Sequence, residues 1–168
     1  QVSKEKTGTF FYIINSDEKI KVGPVSITND SVNFDMPVFE SSFRTKRNAD
    51  GTLQGIWNKG TTGEFQNWKF IAYPNQIYRF TKNQGSAVYN ISGKWDVTIT
   101  RTNGTPRKAI AEFEQMGDKL TGSFITPSGD YRFLEGIVTG DSLKLSTFDG
   151  SHAYTFYAKI NSAEKISG

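Results

Sequence analysis

The chain has no cysteine, one histidine and only two methionines among its 168 residues. Without cysteine, these residues can form no structural disulfide, thiol nucleophile or cysteine-ligated metal or iron–sulfur centre. A single histidine likewise excludes a multi-histidine metal site. No stretch approaches the twenty apolar residues of a membrane-spanning helix, and the opening QVSKEKTG lacks the apolar core of a signal peptide. We therefore predict no metal, no cofactor and no membrane span.

What the chain does contain points to one domain with an aromatic-rich core. Aromatic residues make up 14% of the sequence, and sixteen glycines and five prolines punctuate it. A chain of this length falls within the usual size of one domain, so we predict a single domain over residues 1–168. The formal net charge is +3, a mild excess that solubility alone explains, and nucleic acid is not predicted as a partner.

Short runs of β-branched and aromatic residues recur every eight to twelve residues, each closed by Gly, Asn-Asp or Pro. This pattern is typical of antiparallel sandwiches and barrels. Fourteen candidate strands can be marked, of which we expect ten to twelve to form: Gly8–Ile14, Lys19–Val22, Val25–Thr28, Ser31–Phe34, Ser41–Arg47, Thr52–Trp57, Trp68–Ala72, Tyr78–Thr81, Gly93–Thr100, Arg107–Gln115, Lys119–Thr126, Tyr131–Val138, Ser142–Phe148 and Ala153–Ile160. The predicted fold is all-β: an antiparallel meander forming a barrel or barrel-like sandwich of calycin or lipocalin type.

Alternation is clearest in the second half of the chain. Trp95, Val97 and Ile99 share one face of their strand, as a half-buried strand requires. Short turns then join successive strands, which favours a meander over parallel crossovers. Residues 58–66, 74–76 and 82–86 are predicted to be surface loops, and no segment shows a helical stripe.

A faint internal repeat suggests a pseudo-duplicated architecture. The stretch ITNDSVNF at residues 27–34 matches VTGDSLKL at residues 138–145. Two β-meanders of similar plan would account for this match, and so would the common chemistry of hairpin turns.

Few residues could carry catalytic chemistry. His152 lies close to Asp149 and Ser151, but a catalytic triad is assembled from separated segments, so a histidine satisfied within its own turn is the favoured interpretation. Asp130 and Arg132 are predicted to share a strand face and to pair with each other or with Glu135. A carboxylate pair for glycoside hydrolysis would have to come from a small acidic set: Glu112, Glu114, Asp130, Glu135 and Asp149.

Several longer motifs resemble one known family. The second half contains GSFITPSGDYRFLEG at residues 122–136 and LSTFDGSHA at residues 145–153; the first half contains INSDEKI at 14–20, MPVFES at 36–41 and LQGIWN at 53–58, and GKW follows at 93–95. These motifs resemble the N-terminal β-domain that precedes the thioredoxin module in TlpA-like, AhpC/TSA-type thiol–disulfide oxidoreductases of the bacterial envelope. The family's opening segment is shortened here, and its thioredoxin domain with the CxxC motif is missing.

The resemblance implies a non-catalytic accessory domain, with binding or scaffolding as its role, in a fragment of a longer exported protein of the periplasm or cell envelope. Its partners would be the thioredoxin module of the parent chain or another envelope protein. The GDYR and FDGSH motifs shape turns or, as an alternative, meet at one end of a barrel to frame a binding face; the candidate binding residues are Asp130, Tyr131, Arg132, Phe148, Asp149 and His152.

Two other functions stay open. One is a stand-alone carrier of a small ligand, which an apolar cavity of several hundred cubic ångströms would favour over a filled interior. The other is a hydrolase that uses Asp149 with His152.

Overall fold

The computed structural model describes residues 1–61, 64–82, 85–100 and 103–168. Fifteen strands, and no helix, are found along these residues. Their bounds are β1 Val2–Glu5, β2 Gly8–Asn15, β3 Glu18–Val22, β4 Ser26–Thr28, β5 Ser31–Asp35, β6 Ser41–Arg47, β7 Leu53–Thr61, β8 Glu64–Ala72, β9 Gly93–Thr100, β10 Pro106–Met116, β11 Lys119–Ile125, β12 Tyr131–Thr139, β13 Ser142–Phe148, β14 Ala153–Ser162 and β15 Lys165–Ser167.

The strands form three sheets in which every strand lies beside its neighbours in sequence. The sheets have the orders β1-β2-β3, β4-β5-β6-β7-β8 and β15-β14-β13-β12-β11-β10-β9. The strand pairs are antiparallel, as short connections between sequence neighbours require. The predicted all-β antiparallel meander is confirmed, and the seven-stranded sheet is a half-barrel.

The described chain groups into two compact units. Unit 1 comprises residues 1–14, 18–77 and 148–152, and unit 2 comprises residues 15–17, 78–147 and 153–168. Unit 1 contains the three- and five-stranded sheets, and unit 2 contains most of the seven-stranded sheet. The prediction of a single domain over residues 1–168 stays a prediction.

An aromatic ladder crosses the five-stranded sheet of unit 1. The strand registers place Phe34 opposite Phe43, Phe43 opposite Trp57, and Trp57 opposite Trp68. Successive ring centroids are 4.6, 6.1 and 6.5 Å apart. The ladder is buried at Phe43, which is 4% exposed, and emerges at Trp68 on the edge strand β8, which is 55% exposed. Cross-strand aromatic pairs of this kind stabilise a sheet and fill a core with few residues.

The core of unit 2 lies on the concave face of the seven-stranded sheet. Alternate residues of β10 to β14 supply its buried side chains, as the period of two in a strand dictates. Leu120, Leu134 and Leu145 are fully buried there, and Ile91 joins them from the segment before β9.

Close approach between strands explains a recurring apolar-x-Gly pattern. A Cβ on Gly55 would lie 2.0 Å from the backbone oxygen of Arg44, and a Cβ on Gly136 would lie 1.8 Å from that of Lys144. Both distances are far below van der Waals contact, so only glycine fits. Such glycines mark the places where neighbouring backbones come close and strands bend. Gly122 and Gly168 meet neighbouring carbonyls in the same way.

Three details of the predicted strand pattern are wrong. Fifteen strands form along the described residues instead of ten to twelve, because thirteen of the fourteen candidates form and β1 and the three-residue β15 add to them. Tyr78–Thr81 is irregular rather than a strand. Residues 58–66, predicted to be a loop, instead hold the ends of β7 and β8; residues 62–63 lie outside the described ranges. The polar residues of this segment extend a hairpin because the pairing of β7 with β8 satisfies their backbone groups.

The two halves of the proposed repeat do share a turn. Thr28 pairs with Ser31 and Thr139 pairs with Ser142, so each stretch forms a two-residue hairpin loop. The first loop residue has positive φ in both, 53° at Asn29 and 57° at Gly140. Hairpin chemistry accounts for this local match, and duplication of the whole meander stays a prediction.

Candidate functional site

A cavity of about 710 Å³ lies on the concave face of the seven-stranded sheet. Trp95, Val97 and Ile99 of β9 line it from one end of the sheet, and Phe156 and Ala158 of β14 and Ile166 of β15 line it from the other. Phe113, Phe124 and Leu143 contribute from the strands between. The walls are therefore rich in aromatic and aliphatic side chains. Polar residues of β9, of β14 and of the end of the chain complete the lining: Asp96, Thr98, Thr100, Thr155, Glu164, Lys165 and Ser167.

The sheet curls strongly enough to bring distant strands together over this cavity. β11 and β14 are three strand spacings apart, which is about 14 Å in a flat sheet. The ring centroids of Phe124 and Phe156, carried by these strands, are only 4.8 Å apart. Residues of both terminal strands can line one cavity because the sheet bends to this degree.

The segment before β9 packs into the unit 2 core and is held by one buried amide. Gln115 of β10 is 9% exposed, and its side-chain oxygen accepts a hydrogen bond from the backbone N–H of Ile91 at 2.9 Å. Its side-chain nitrogen donates to the backbone oxygens of Tyr89 and Gly117, both at 2.9 Å. The indole N–H of Trp95 donates to the backbone oxygen of Ile91 at 2.8 Å. The amide of Gln115 thus fixes the segment on which a wall residue of the cavity rests.

Of the six predicted binding residues, Tyr131 lies next to the cavity lining. Its ring centroid is 5.8 Å from that of Phe156 and 6.4 Å from that of Phe124, both of which line the cavity. It also meets Tyr154 edge-on at 4.7 Å. Tyr131 therefore supports the aromatic wall.

The two charged residues of the GDYR motif, Asp130 and Arg132, do not line the cavity. The carboxylate of Asp130 accepts a hydrogen bond from the backbone N–H of Thr126 at 3.2 Å, which closes the turn before β12. The guanidinium of Arg132 lies 5.7 Å from the ring centroid of Phe133. The expected pairing of Asp130 and Arg132 with each other or with Glu135 is wrong, since no ion pair among the described residues includes Asp130 or Arg132. Glu135 instead pairs with Arg79 at 3.5 Å and accepts a hydrogen bond from the backbone N–H of Ser16 at 2.6 Å.

The FDGSH motif forms a closed turn in unit 1. One carboxylate oxygen of Asp149 accepts the backbone N–H groups of Ser151 and His152 at 2.8 and 2.7 Å. The other carboxylate oxygen lies 3.0 Å from Nδ1 of His152. Gly150, with φ at 106°, supplies the backbone geometry that the turn needs. The favoured interpretation of this motif, a histidine satisfied within its own turn, is confirmed.

Phe148 belongs to the core of unit 1. Its ring centroid is 5.4 Å from that of Trp57 and 6.2 Å from that of Phe43. Asp130, Tyr131 and Arg132 belong to unit 2, whereas Phe148, Asp149 and His152 belong to unit 1. That the two motifs frame one binding face stays a prediction, as does the hydrolase that uses Asp149 with His152.

Several residues of the cavity were missed as site residues in the sequence. The shared face of Trp95, Val97 and Ile99 was recognised, but alternation shows only that a face is covered, not whether its interior is filled. The position of Phe156 in β14 likewise does not show whether its ring fills a core or borders a cavity. Whether a curled sheet encloses a cavity can be determined only from the distances between its strands.

Ion pairs at the sheet surface are exposed. Lys94 of β9 donates to Glu112 of β10 at 2.8 Å, and this hydrogen bond raises the pKa of Lys94. Within the described ranges, no three His, Asp or Glu side chains are grouped to hold a metal ion. Those ranges also contain no helix with the length and apolar character to cross a membrane.

Comparison of the chain with models of protein families, with curated proteins and with solved structures finds no match.

Proposed function

We propose that this chain is a non-catalytic binding module that takes up apolar groups of a ligand in the cavity of the seven-stranded sheet. The cavity carries the proposal. Its volume of about 710 Å³ lies in the range of natural ligand sites, roughly 300 to 1,000 Å³. Its lining by Trp95, Phe113, Phe124 and Phe156 provides the aromatic surface that apolar ligands contact.

The cavity favours ligand uptake over pure scaffolding. An open cavity leaves its apolar wall atoms without packing partners, which a structural core avoids. An occupant that removes these walls from water would gain about 25 cal/mol for each square ångström of apolar surface buried. This is the property that separates a carrier of apolar groups from a filled scaffold.

The accessory role in an envelope thiol–disulfide oxidoreductase rests on the sequence motifs alone. These 168 residues contain no thiol, so thiol–disulfide chemistry would have to come from another polypeptide or domain. In that setting the cavity would serve to bind or position a molecule for the redox partner.

The neutral fluorescent probe N-phenyl-1-naphthylamine tests the proposed uptake. In the double variant Trp57→Phe/Trp68→Phe, Trp95 is the sole tryptophan and lines the cavity, so bound probe should quench its emission by energy transfer. We expect Val97→Asp to weaken probe binding at least tenfold, because it replaces an apolar wall side chain between Trp95 and Ile99 with a charged one. Ile125→Asp is the matched control, since Ile125 is an exposed β-branched residue of β11 that does not line the cavity. Absent binding, or equal binding by both variants, would refute the proposed function.

A further inference from the structure

Strand β9 is a long, open edge of the seven-stranded sheet. It has eight residues, Gly93–Thr100, and ends the strand order, whereas the opposite terminal strand β15 has three. Natural edge strands are blocked by prolines, bulges or charges that point inward. β9 has no proline, its register with β10 is unbroken, and its inward side chains are Trp95, Val97 and Ile99.

The outward face of β9, whose Asp96, Thr98 and Thr100 also border the cavity along the strand edge, has one unmatched charge. In the β9–β10 register, Lys94 faces Glu112 and is bonded to it at 2.8 Å, and Thr98 faces Lys108 and is bonded to it at 3.0 Å. Asp96 lies between them and faces Ile110 instead. In the part of the chain that the structure describes, no cation lies within ion-pair distance of the Asp96 carboxylate. A cation on the open side of β9 would complete this face.

We infer that β9 is a strand-addition site for an extended peptide whose alternate residues are apolar and whose central outward residue is lysine or arginine. The peptide would pair antiparallel with β9 and direct its apolar side chains into the cavity. Its cation would lie directly opposite Asp96, because paired residues project to the same face. This inference rests on the proposed function, since it identifies the apolar groups that the cavity takes up as peptide side chains.

Backbone and side chains would share the recognition. The unpaired N–H and C=O groups along β9 supply affinity for any extended chain, and the cavity and Asp96 select its alternating pattern. The eight residues of β9 offer room for a paired segment of about seven residues, at 3.4 Å per residue.

A second copy of this chain fits the edge less well. Lys94 is the one cation on β9, so two copies of β9 could match Asp96 with a cation only in the register centred on Trp95. That register uses a lysine already bonded to Glu112. Centring on Val97 places Asp96 opposite threonine, and centring on Asp96 places two carboxylates face to face. Charge complementarity therefore favours a separate basic peptide.

Fluorescein-labelled VTVKVTV is a suitable probe, with fluorescence anisotropy as the readout. We expect binding that displaces N-phenyl-1-naphthylamine and is weakened about fivefold when the central lysine is replaced by glutamate, the upper end for a cross-strand charge pair. Asp96→Lys should reverse this preference. Asp96 is exposed on an edge, so the variant should retain its fold, which circular dichroism can verify.

Backbone methylation separates strand addition from simple apolar contact. Two versions of the peptide carry N-methyl groups on alternate amides, one set on the odd residues and the other on the even residues. A peptide paired with β9 on one side should lose binding at least tenfold in one version and retain it in the other.

The remaining outcomes are distinguishable. If the naphthylamine probe binds but the peptide does not, or both methylated peptides bind alike, the inference is wrong and the proposed function stands. If neither probe binds, both are wrong. If sedimentation shows a dimer that Asp96→Lys abolishes and that excludes the peptide, the occupant is a second copy and the inference is likewise overturned.

Discussion

The two compact units use aromatic residues in opposite ways. In unit 1 the rings of Phe34, Phe43 and Trp57 stack across neighbouring strands and fill the space above the sheet. In unit 2 the rings of Phe124 and Phe156 meet across a curled sheet and border a cavity of about 710 Å³. The same residue types therefore build a packed core on one sheet and border an open site on another.

The largest expected effect comes from truncating the centre of the ladder. Phe43 contacts the rings of Phe34, Trp57 and Phe70 and is 4% exposed. We expect Phe43→Ala to lower the free energy of unfolding by about 3 to 5 kcal/mol, because it leaves an enclosed void. Phe156→Ala should cost less, about 1 to 2 kcal/mol, since the partly exposed ring already borders open space.

Denaturant titration followed by tryptophan fluorescence measures the free energy of unfolding of both variants. Replacing Trp95 by phenylalanine leaves Trp57 and Trp68 to report on unit 1, and replacing Trp57 and Trp68 by phenylalanine leaves Trp95 to report on unit 2. Equal losses for the two variants would show that the cavity of unit 2 is packed in solution.

The next effect concerns the polar anchor of unit 2. Gln115→Ala leaves the backbone N–H of Ile91 and the oxygens of Tyr89 and Gly117 without their partner. We expect a loss of about 3 kcal/mol from these unpaired groups, seen in the denaturation of the Trp95 signal. The control Gln54→Ala removes an exposed amide of β7 and should change stability by no more than about 0.5 kcal/mol. A result for Gln115→Ala as small as that of the control would contradict the anchoring role.

Replacing two alanines of unit 2 by leucine tests which parts of its interior can accept a larger side chain. Ala111 is fully buried in the core, whereas Ala158 lines the cavity. We expect Ala111→Leu to cost about 1 to 3 kcal/mol through overpacking, and Ala158→Leu to cost less than about 1 kcal/mol. Ala158→Leu should also weaken binding of the naphthylamine probe, because its side chain occupies the cavity. If both variants are equally destabilised, the cavity walls have no freedom to accept added atoms.

The smallest effect distinguishes two turn aspartates. The pKa of Asp50 in unit 1 is lowered chiefly by hydrogen bonds from the side chain and backbone of Thr52, and the pKa of Asp141 in unit 2 is lowered chiefly by a hydrogen bond from the ammonium of Lys159. A depressed carboxyl pKa contributes stability above the pKa of the unfolded chain, and the contribution is lost as the pH falls through the folded pKa.

Added salt distinguishes the two causes of the lowered pKa values, neutral hydrogen bonds at Asp50 and an ion pair at Asp141. We expect 1 M NaCl to move the pKa of Asp141 back toward its ordinary value and to leave that of Asp50 nearly unchanged, because screening acts on charge pairs. Carbon-13 NMR titration of the two carboxyl groups measures this. Equal salt dependence would show that charge pairing does not control the pKa of Asp141.

Much of the fold was predictable because it depends on local signals. Ser41–Arg47, Gly93–Thr100 and Ser142–Phe148 were predicted with their observed bounds, since turn residues and alternation specify such strands directly. Tyr78–Thr81 was wrongly predicted to be a strand, because an aromatic and β-branched run satisfies strand propensity whether or not it joins a sheet.

The candidate site was less predictable because it depends on distances between strands. Tyr131 was chosen for its motif, and it lies beside the cavity for a different reason, its packing on Phe124 and Phe156. Phe148 was chosen in the same way and lies in the ladder core. A distinctive motif indicates that the backbone or side-chain geometry at that place is restricted. It does not show whether a turn or a binding pocket imposes the restriction.

The glycines that touch neighbouring carbonyls also restrict how the sheets can assemble. If β12 slid by one residue against β13, Glu135 or Ile137 would take the place of Gly136, and its side chain would collide with the backbone oxygen of Lys144. Such a slip would also turn the apolar face outward. The loops can change length without affecting this fit, but the spacing from each glycine to its apolar neighbours cannot. These glycines thus disfavour hairpins whose strands are paired out of register.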